Sequence, residues 1–195
     1  MSQIIRRLGI PPRARGSLSG QNCPDIFELA DGNFAFIGTD ETNELDSQLP
    51  ADAPLSEDYR IVVVTRETLM HAKIDIPLGI DSSRMSPAAP HGGHVQVDSP
   101  RPVTTPEIRG GQQQVKILRR LGKPPAQRQE ESSTTGQTCP DIFELTNGDF
   151  AVVGTEATEA LDQELPDDAS RADYERIVIV SRKTMIDAKA DIPDA

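Results

Sequence analysis

The chain has 195 residues, and 31 Asp and Glu against 20 Lys and Arg give it a formal net charge of -11. A field of this sign repels nucleic acid at long range and favours basic partners. No apolar stretch reaches the roughly 20 residues needed to span a bilayer, and MSQIIRRLGI lacks the apolar core of a signal peptide. We therefore expect a cytoplasmic protein that has no membrane contact.

The sequence contains an internal duplication. Residues 23–77 recur at 139–193 at a fixed offset, with about 30 of 55 positions identical. The string IIRRLGIPP at 4–12 also recurs, as ILRRLGKPP at 117–125. The chain is therefore interpreted as two copies of one small unit.

The duplication divides the chain into three parts. We predict a first repeat at 1–77 and a second at 115–195, each of a size at which a single core is small. Residues 78–114 between them are rich in Pro, Gly and Ser, which predicts a disordered linker. The linker contains His91 and His94, but no nearby cysteine or carboxylate cluster, and so no metal site is predicted.

Each repeat begins with a basic arm and continues into an acidic segment. Arg6 and Arg7 belong to the first arm, and no Lys or Arg lies between Asp25 and Asp58. The second repeat has the same order of charges. We expect each arm to fold back onto acidic residues, so that the surface stays acidic and the protein soluble.

A β-hairpin is predicted near the start of each repeat. The apolar runs IFEL and FAFIG are separated by residues 30–33, and IFEL and FAVVG by residues 146–149. These short loops contain Asp-Gly and Asn-Gly pairs, which are preferred where a turn needs positive φ.

The segment TDETNELDSQLP predicts a helix after the hairpin. Thr39 is the expected cap, acidic residues in the first turn favour the helix dipole, and Pro50 ends the helix. Leu45 and Leu49 are four residues apart and are expected to face the sheet.

The last part of each repeat predicts a strand followed by a helix. The apolar, β-branched run at 60–64 is typical of a strand buried on both faces, and Thr65 or Ser181 would cap the helix after it. The order hairpin, helix, strand, helix predicts an α+β domain in each repeat, with a three-stranded mixed sheet. A helical crossover would make its second and third strands parallel.

Candidates for chemistry are few. Cys23 and Cys139 stand in matching Cys-Pro-Asp contexts, and Arg66 and Arg182 begin the last helix of each repeat, where a guanidinium and free backbone donors hold an anion. The alternatives are a small structural cysteine and an arginine paired with a carboxylate. The second repeat has no histidine, so a Cys-His pair is excluded as a mechanism within both repeats.

The carboxylates do not form a recognisable metal or catalytic motif. Asp25, Glu28, Asp40 and Asp46 do not have the spacing of an EF-hand loop. The helix start GTDETNEL lacks the glycines and lysine of a phosphate-binding loop. We therefore predict no cofactor and no metal.

The repeated pattern CPDIFEL, GT, RIVV and AKxDIP resembles small acidic uncharacterised proteins of the actinomycete type. The resemblance covers both repeats and not the linker. It implies a bacterial, cytoplasmic setting and carries no mechanism that can be transferred, and the tandem arrangement departs from the usual single copy.

Two functional hypotheses follow. The first is a non-enzymatic interaction or regulatory module, a covalent pseudo-dimer resembling an antitoxin, inhibitor or adaptor, that binds a basic protein. For this pseudo-dimer the sequence leaves two alternatives, repeats that pack on each other and repeats that stay apart. The second is a small enzyme or ligand-binding protein using the Cys/Arg pairs named above. For the first hypothesis the expected partner-binding residues are Asp40, Glu41, Glu44, Asp46, Glu156, Glu159, Asp162 and Glu164.

Overall fold

The structure is a computed structural model that describes residues 3–15, 23–78, 114–124, 127 and 140–194. Within these ranges the strands are Ile4–Arg7 (β1), Asp25–Leu29 (β2), Phe34–Asp40 (β3), Tyr59–Val64 (β4), Ile117–Leu121 (β5), Asp141–Leu145 (β6), Phe150–Glu156 (β7) and Glu175–Val180 (β8). The α-helices are Thr42–Leu45 (α1), Arg66–Ala72 (α2), Thr158–Leu161 (α3) and Arg182–Ala188 (α4). Cys139, His91, His94 and nearly all of the predicted linker lie outside the described residues.

The described strands form one antiparallel sheet to which both repeats contribute. In each repeat the arm strand pairs with the first hairpin strand, β1 with β2 and β5 with β6. The second hairpin strand then pairs over six residues with the last strand of the other repeat, β3 with β8 and β7 with β4. Within a repeat, β3 and β4, or β7 and β8, share only two residue pairs. The four central strands thus pair in a closed cycle.

The α+β class is confirmed, but the predicted three-stranded mixed sheets are wrong. The described strands belong to one sheet, and all of its pairings are antiparallel. The predicted helical crossover is reduced to the four-residue helix α1, which packs on the hairpin of the other repeat. Strand β4 pairs mainly with β7. It therefore does not lie beside its own hairpin as a parallel neighbour.

A close crossing of two strands explains the glycine of the Gly-Thr pair. At Gly38, β3 passes so near β4 that an added Cβ would lie 2.9 Å from the Val63 carbonyl carbon and nearer still to its oxygen. At Gly154 an added Cβ would lie 2.6 Å from the Ile179 carbonyl oxygen. The absence of a side chain therefore permits each hairpin strand to change its pairing partner.

The predicted local signals have mixed outcomes. Both hairpins are present, with Gly32 at φ 86° and Gly148 at φ 90° in their turns. Thr65 and Ser181 cap α2 and α4, as predicted, by accepting hydrogen bonds from backbone N–H groups. Thr39 is not a cap: it is the strand residue before Asp40, whose carboxylate accepts from the Thr42 N–H at 3.1 Å.

The hydrophobic cores contain both repeats. The described residues within Met1–Gly79 and Val115–Ala195 form one compact unit. A central cluster contains Phe36, Val62 and Leu69 from the first repeat together with Val152, Val178 and Met185 from the second. Two outer clusters are also shared, because α3 packs on the hairpin β2–β3 and α1 packs on the hairpin β6–β7. The short helices α1 and α3 therefore each pack on the hairpin of the other repeat.

Candidate interaction surface

The basic arms are tied down by carboxylates from both repeats. Arg7 contacts Asp25 at 2.7 Å through Nε and donates two hydrogen bonds, at 2.7 and 2.8 Å, to Asp168 of the second repeat. Its guanidinium lies 5.3 Å from the centre of the Phe27 ring, within the range of a cation–π contact. The second arm repeats these contacts through Arg120, Asp141, Asp52 and Phe143. The expectation that each arm folds back onto acidic residues is confirmed.

The carboxylates beneath the arms are among the most buried charges of the described residues. Asp25 is 1% exposed and Asp141 is 0% exposed. Burial alone works to lower the pKa of Arg7, but hydrogen bonds and charge from Asp168 and Asp25 outweigh it and raise that pKa. Hydrogen bonds from Arg120 to Asp52 similarly raise the pKa of Arg120. Because a buried carboxylate needs a paired charge, these arginines are structural groups rather than a surface for anions.

Arg66 and Arg182, the predicted anion-binding arginines, each contact the hairpin turn of the other repeat. Arg182 donates to Glu28 Oε1 at 3.0 Å and to the Gly32 carbonyl at 3.3 Å. Arg66 makes the matching contacts to Glu144 at 3.1 Å and Gly148 at 3.3 Å. These contacts correspond to the ordinary alternative of an arginine paired with a carboxylate.

Glu28 and Glu144 each lie between two arginines. Burial works to raise the pKa of Glu28, but hydrogen bonds from Arg182 and Arg6 outweigh it and hold the pKa below its usual value. Glu144 is affected in the same way by Arg66 and Arg119. Each glutamate thus joins its own arm to the last helix of the other repeat.

The first acidic surface, defined as Asp40, Glu41, Glu44 and Asp46, lies at the end of β3 and on α1. Glu44 and Asp46 are exposed, and Asp40 is held by its hydrogen bond from Thr42. Partial burial, together with the charges of Glu44 and Asp40, raises the pKa of Glu41. Burial is the larger cause of this rise, and the charges of Glu44 and Asp40 add to it. A cation beside these carboxylates would relieve the part that comes from repulsion.

The second acidic surface, defined as Glu156, Glu159, Asp162 and Glu164, occupies the same place in the second repeat. Glu159, Asp162 and Glu164 are exposed. Asp162 accepts a hydrogen bond from Arg171 Nε at 3.0 Å, so its charge is partly compensated. Ala157 stands where the first repeat has Glu41. The second surface therefore lacks the additional carboxylate that Glu41 gives the first.

A cleft of about 760 Å³ borders the second acidic surface. The cleft is formed by the turns before β4 and β8, by the end of β7 and by the start of α3. Three arginines line it, but Arg60 and Arg176 each donate to two backbone carbonyls of their own turns, at 2.7–2.9 Å. Five carboxylates also line it, namely Glu57, Asp58, Glu156, Glu159 and Asp173. The arginines stiffen the walls, and the carboxylates give the cleft an excess of negative charge.

At the start of β8, between two residues that line the cleft, lies a buried glutamate that sequence reasoning missed. Glu175 is 1% exposed and accepts a hydrogen bond from the Ala172 N–H at 2.8 Å. Burial raises its pKa, and the Ala172 N–H and the charge of Arg171 only partly offset this. The first repeat has Tyr59 and Leu55 where the second has Glu175 and Arg171. Comparing the repeats position by position reveals this joint replacement, which no single motif does.

The thiol half of the alternative site is only partly described. Cys23 is a half-buried cysteine just before β2. Cys139 lies outside the described residues, so a pairing of each thiol with an arginine stays a prediction. Among residues 3–15, 23–78, 114–124, 127 and 140–194, no group of three or more His, Cys, Asp or Glu side chains is placed to hold a metal ion. In the same ranges, no helix combines the length and apolarity that crossing a bilayer requires.

Comparison of the chain with family models, with curated proteins and with solved structures finds no match. The function proposed below therefore depends on the geometry and charge of this chain.

Proposed function

We propose that the protein is a non-enzymatic interaction module that binds a basic protein partner, in the manner of an antitoxin, inhibitor or adaptor. The partner contacts the two acidic surfaces, and the cleft accepts an arginine or lysine side chain beside Glu156 and Glu159. The paired repeats act as a covalent pseudo-dimer that presents two acidic surfaces on one rigid sheet.

The observation that carries this proposal is a difference between the arginines, which bind groups of the protein itself, and the carboxylates on the two acidic surfaces, several of which are exposed. The arginines of both arms, of the last helices and of the cleft wall donate to carboxylates or carbonyls of the protein itself. In contrast, Glu44, Asp46, Glu159 and Glu164 are exposed on the short helices and the turns that follow them. An external cation therefore meets carboxylates whose repulsion it relieves.

Two acidic surfaces on one chain also favour a partner with two basic sites. If both surfaces engage one partner, the second contact forms at an effective concentration of about millimolar, which strengthens binding without any new kind of contact. Because the contacts are between exposed charges, binding is expected to weaken as salt rises.

The proposal is tested by affinity capture from bacterial extract, followed by binding measurements with the purified partner. The test variant reverses Glu44, Asp46, Glu159 and Glu164 to lysine. Its control reverses four acidic residues elsewhere to lysine and so makes the same change in net charge: Glu67, Asp81, Asp98 and Glu107.

We expect the parent and the control to hold the partner and the test variant to lose it, with far-UV circular dichroism unchanged in all three. Equal binding by the test variant and the control would show that the surfaces are not the binding site. Loss of binding by both would indicate a response to overall charge alone, and would also contradict the proposal.

A further inference from the structure

The two repeats complete one common fold, because each supplies strands and apolar side chains that the other needs. The last strand of each repeat makes six residue pairs with the other repeat and two with its own. The outer clusters place Leu161 against the hairpin of the first repeat and Leu45 against that of the second. A repeat without its partner would expose these apolar faces and leave the hydrogen-bonding edges of its central strands open.

The polar contacts between the repeats are reciprocal. The Arg7–Asp168 contact is matched by Arg120–Asp52, and the Arg182–Glu28 contact is matched by Arg66–Glu144. This is the pattern of an isologous dimer interface, in which the same patch on each partner contacts the other. These four contacts would form equally well between two first repeats or two second repeats, so they do not select the partner.

The central core does distinguish the repeats, by size. Phe36 and Val152 are equivalent positions of the two repeats, and both are buried in the same cluster. A pair of first repeats would place two phenylalanines in this core, and a pair of second repeats would place two valines there. The first pair would be overpacked and the second would contain a cavity, because protein interiors are close-packed.

We propose that each repeat is one half of a matched pair, and that the surface buried between them is a recognition surface for a repeat of the opposite type. The partner that fits the first repeat is a chain segment with valine at the position equivalent to Phe36. The partner that fits the second repeat has phenylalanine at the position equivalent to Val152. Such a repeat on a separate chain takes the place of the covalently attached one.

The first test uses the whole protein with its connection cut. A protease site is inserted between residues 91 and 98, the folded protein is cleaved, and the two fragments are unfolded together in guanidinium chloride and refolded by dilution. Native mass spectrometry then counts the pairs. We expect mixed pairs of first and second repeats to exceed like pairs by about tenfold. A tenfold ratio corresponds to about 1.4 kcal/mol, which lies within the usual cost of an overpacked core or a cavity.

Each other result of this test overturns part of the proposal. Folded single repeats would show that a repeat does not need a partner. Mixed and like pairs in the statistical ratio would show that the surface does not select the opposite type. Failure of the fragments to refold, at a concentration where the uncut chain refolds, would show that recognition does not occur between separate chains.

The second test exchanges the two core residues in the uncut chain. Phe36→Val and Val152→Phe are each expected to lower the midpoint of denaturant unfolding. The double variant, which carries the same two residues in exchanged places, is expected to recover most of the loss. If the effects of the two single variants simply add, the two positions do not share a volume, and the size-matching argument fails.

Discussion

The contacts of the basic arms and the segment that leads into the last strand have diverged to different extents between the repeats. The arm contacts are the same on both sides: Arg7 and Arg120 each bind one buried aspartate of their own repeat and one aspartate of the other. Before the last strand, Leu55 and Tyr59 in one repeat are replaced by Arg171 and Glu175 in the other.

The difference shows which contacts constrain the sequence. An arm residue contacts both repeats, so changing it affects a buried charge in one repeat and an ion pair with the other. In the second repeat, Arg171 and Glu175 interact with one another. A pair of this kind changes by joint replacement within one repeat. It also alters the charge of the cleft, because Arg171 lines it.

The largest expected effect comes from removing an arm arginine. Arg7→Met leaves Asp25, which is 1% exposed, without its guanidinium, and breaking a buried pair in this way costs about 3 to 5 kcal/mol of unfolding free energy. Because the contacts are reciprocal, Arg120→Met is expected to cost a similar amount. Urea unfolding of both variants measures the loss.

Arg6→Met is the control, because Arg6 is 44% exposed and also pairs with a glutamate. Its expected cost is about 1 kcal/mol or less. An Arg7→Met variant as stable as Arg6→Met would contradict the structural role assigned to the arms. A large difference between Arg7→Met and Arg120→Met would contradict their equivalence.

A smaller effect is expected at the strand crossing. Gly38→Ala places a Cβ against the Val63 carbonyl, and relieving this overlap is expected to cost about 2 to 3 kcal/mol by shifting β3 from β4. Thermal unfolding followed by circular dichroism measures the change. In the control, Gly32→Asn, the left-handed turn conformation suits asparagine, and the loss should be much smaller. Equal stability of Gly38→Ala and the parent would show that the strands do not cross this closely.

The smallest effect is expected at Glu175 and depends on pH. Burial raises its pKa in the folded state above the ordinary value, so its contribution to stability is fully present below the unfolded-state pKa and is lost as pH rises through the folded-state pKa. The side chain in Glu175→Gln does not ionise, so this variant does not lose that stability as pH rises. The variant is expected to be the more stable protein at pH 7, with the difference fading as pH falls to about 4.

Unfolding free energies measured from pH 4 to pH 8 test this expectation. Glu57→Gln, at an exposed position, serves as the control for the removal of one carboxylate. If the difference between Glu175→Gln and the parent does not grow with pH, Glu175 is not protonated more readily in the folded protein than in the unfolded one.

Local features of this fold were predictable from the sequence, whereas the pairing of the central strands was not. The hairpin turns at Gly32 and Gly148 and the caps at Thr65 and Ser181 depend on a few neighbouring residues, and the structure contains them. The choice between β4 and β8 as the partner of β3 has no local signal. The two strands read RIVVV and RIVIV, so either satisfies the same apolar pattern.

The candidate surface was predictable to a similar degree. Its exposed carboxylates could be read from an acidic segment that lacks lysine and arginine. The cleft could not, because it is made by turns from different repeats that come together only through the exchanged strands. Glu175 was missed for a related reason. Burial of a charge depends on tertiary packing, and the sequence around Glu175, which follows Tyr174 after a polar segment, does not indicate that the glutamate is buried.

The exchange of strands has a consequence for biosynthesis. Phe34 pairs with Val180, so at the usual 5 to 20 residues per second a ribosome needs roughly 7 to 30 s to supply the partner of β3 after β3 itself has been made. During that interval the edge of β3 has no partner strand. Such an edge forms incorrect strand pairs, including pairs between neighbouring nascent chains on one messenger RNA. Folding of the first half of the chain therefore waits for synthesis of the last, and nascent chains of this protein are suited to protection by a chaperone.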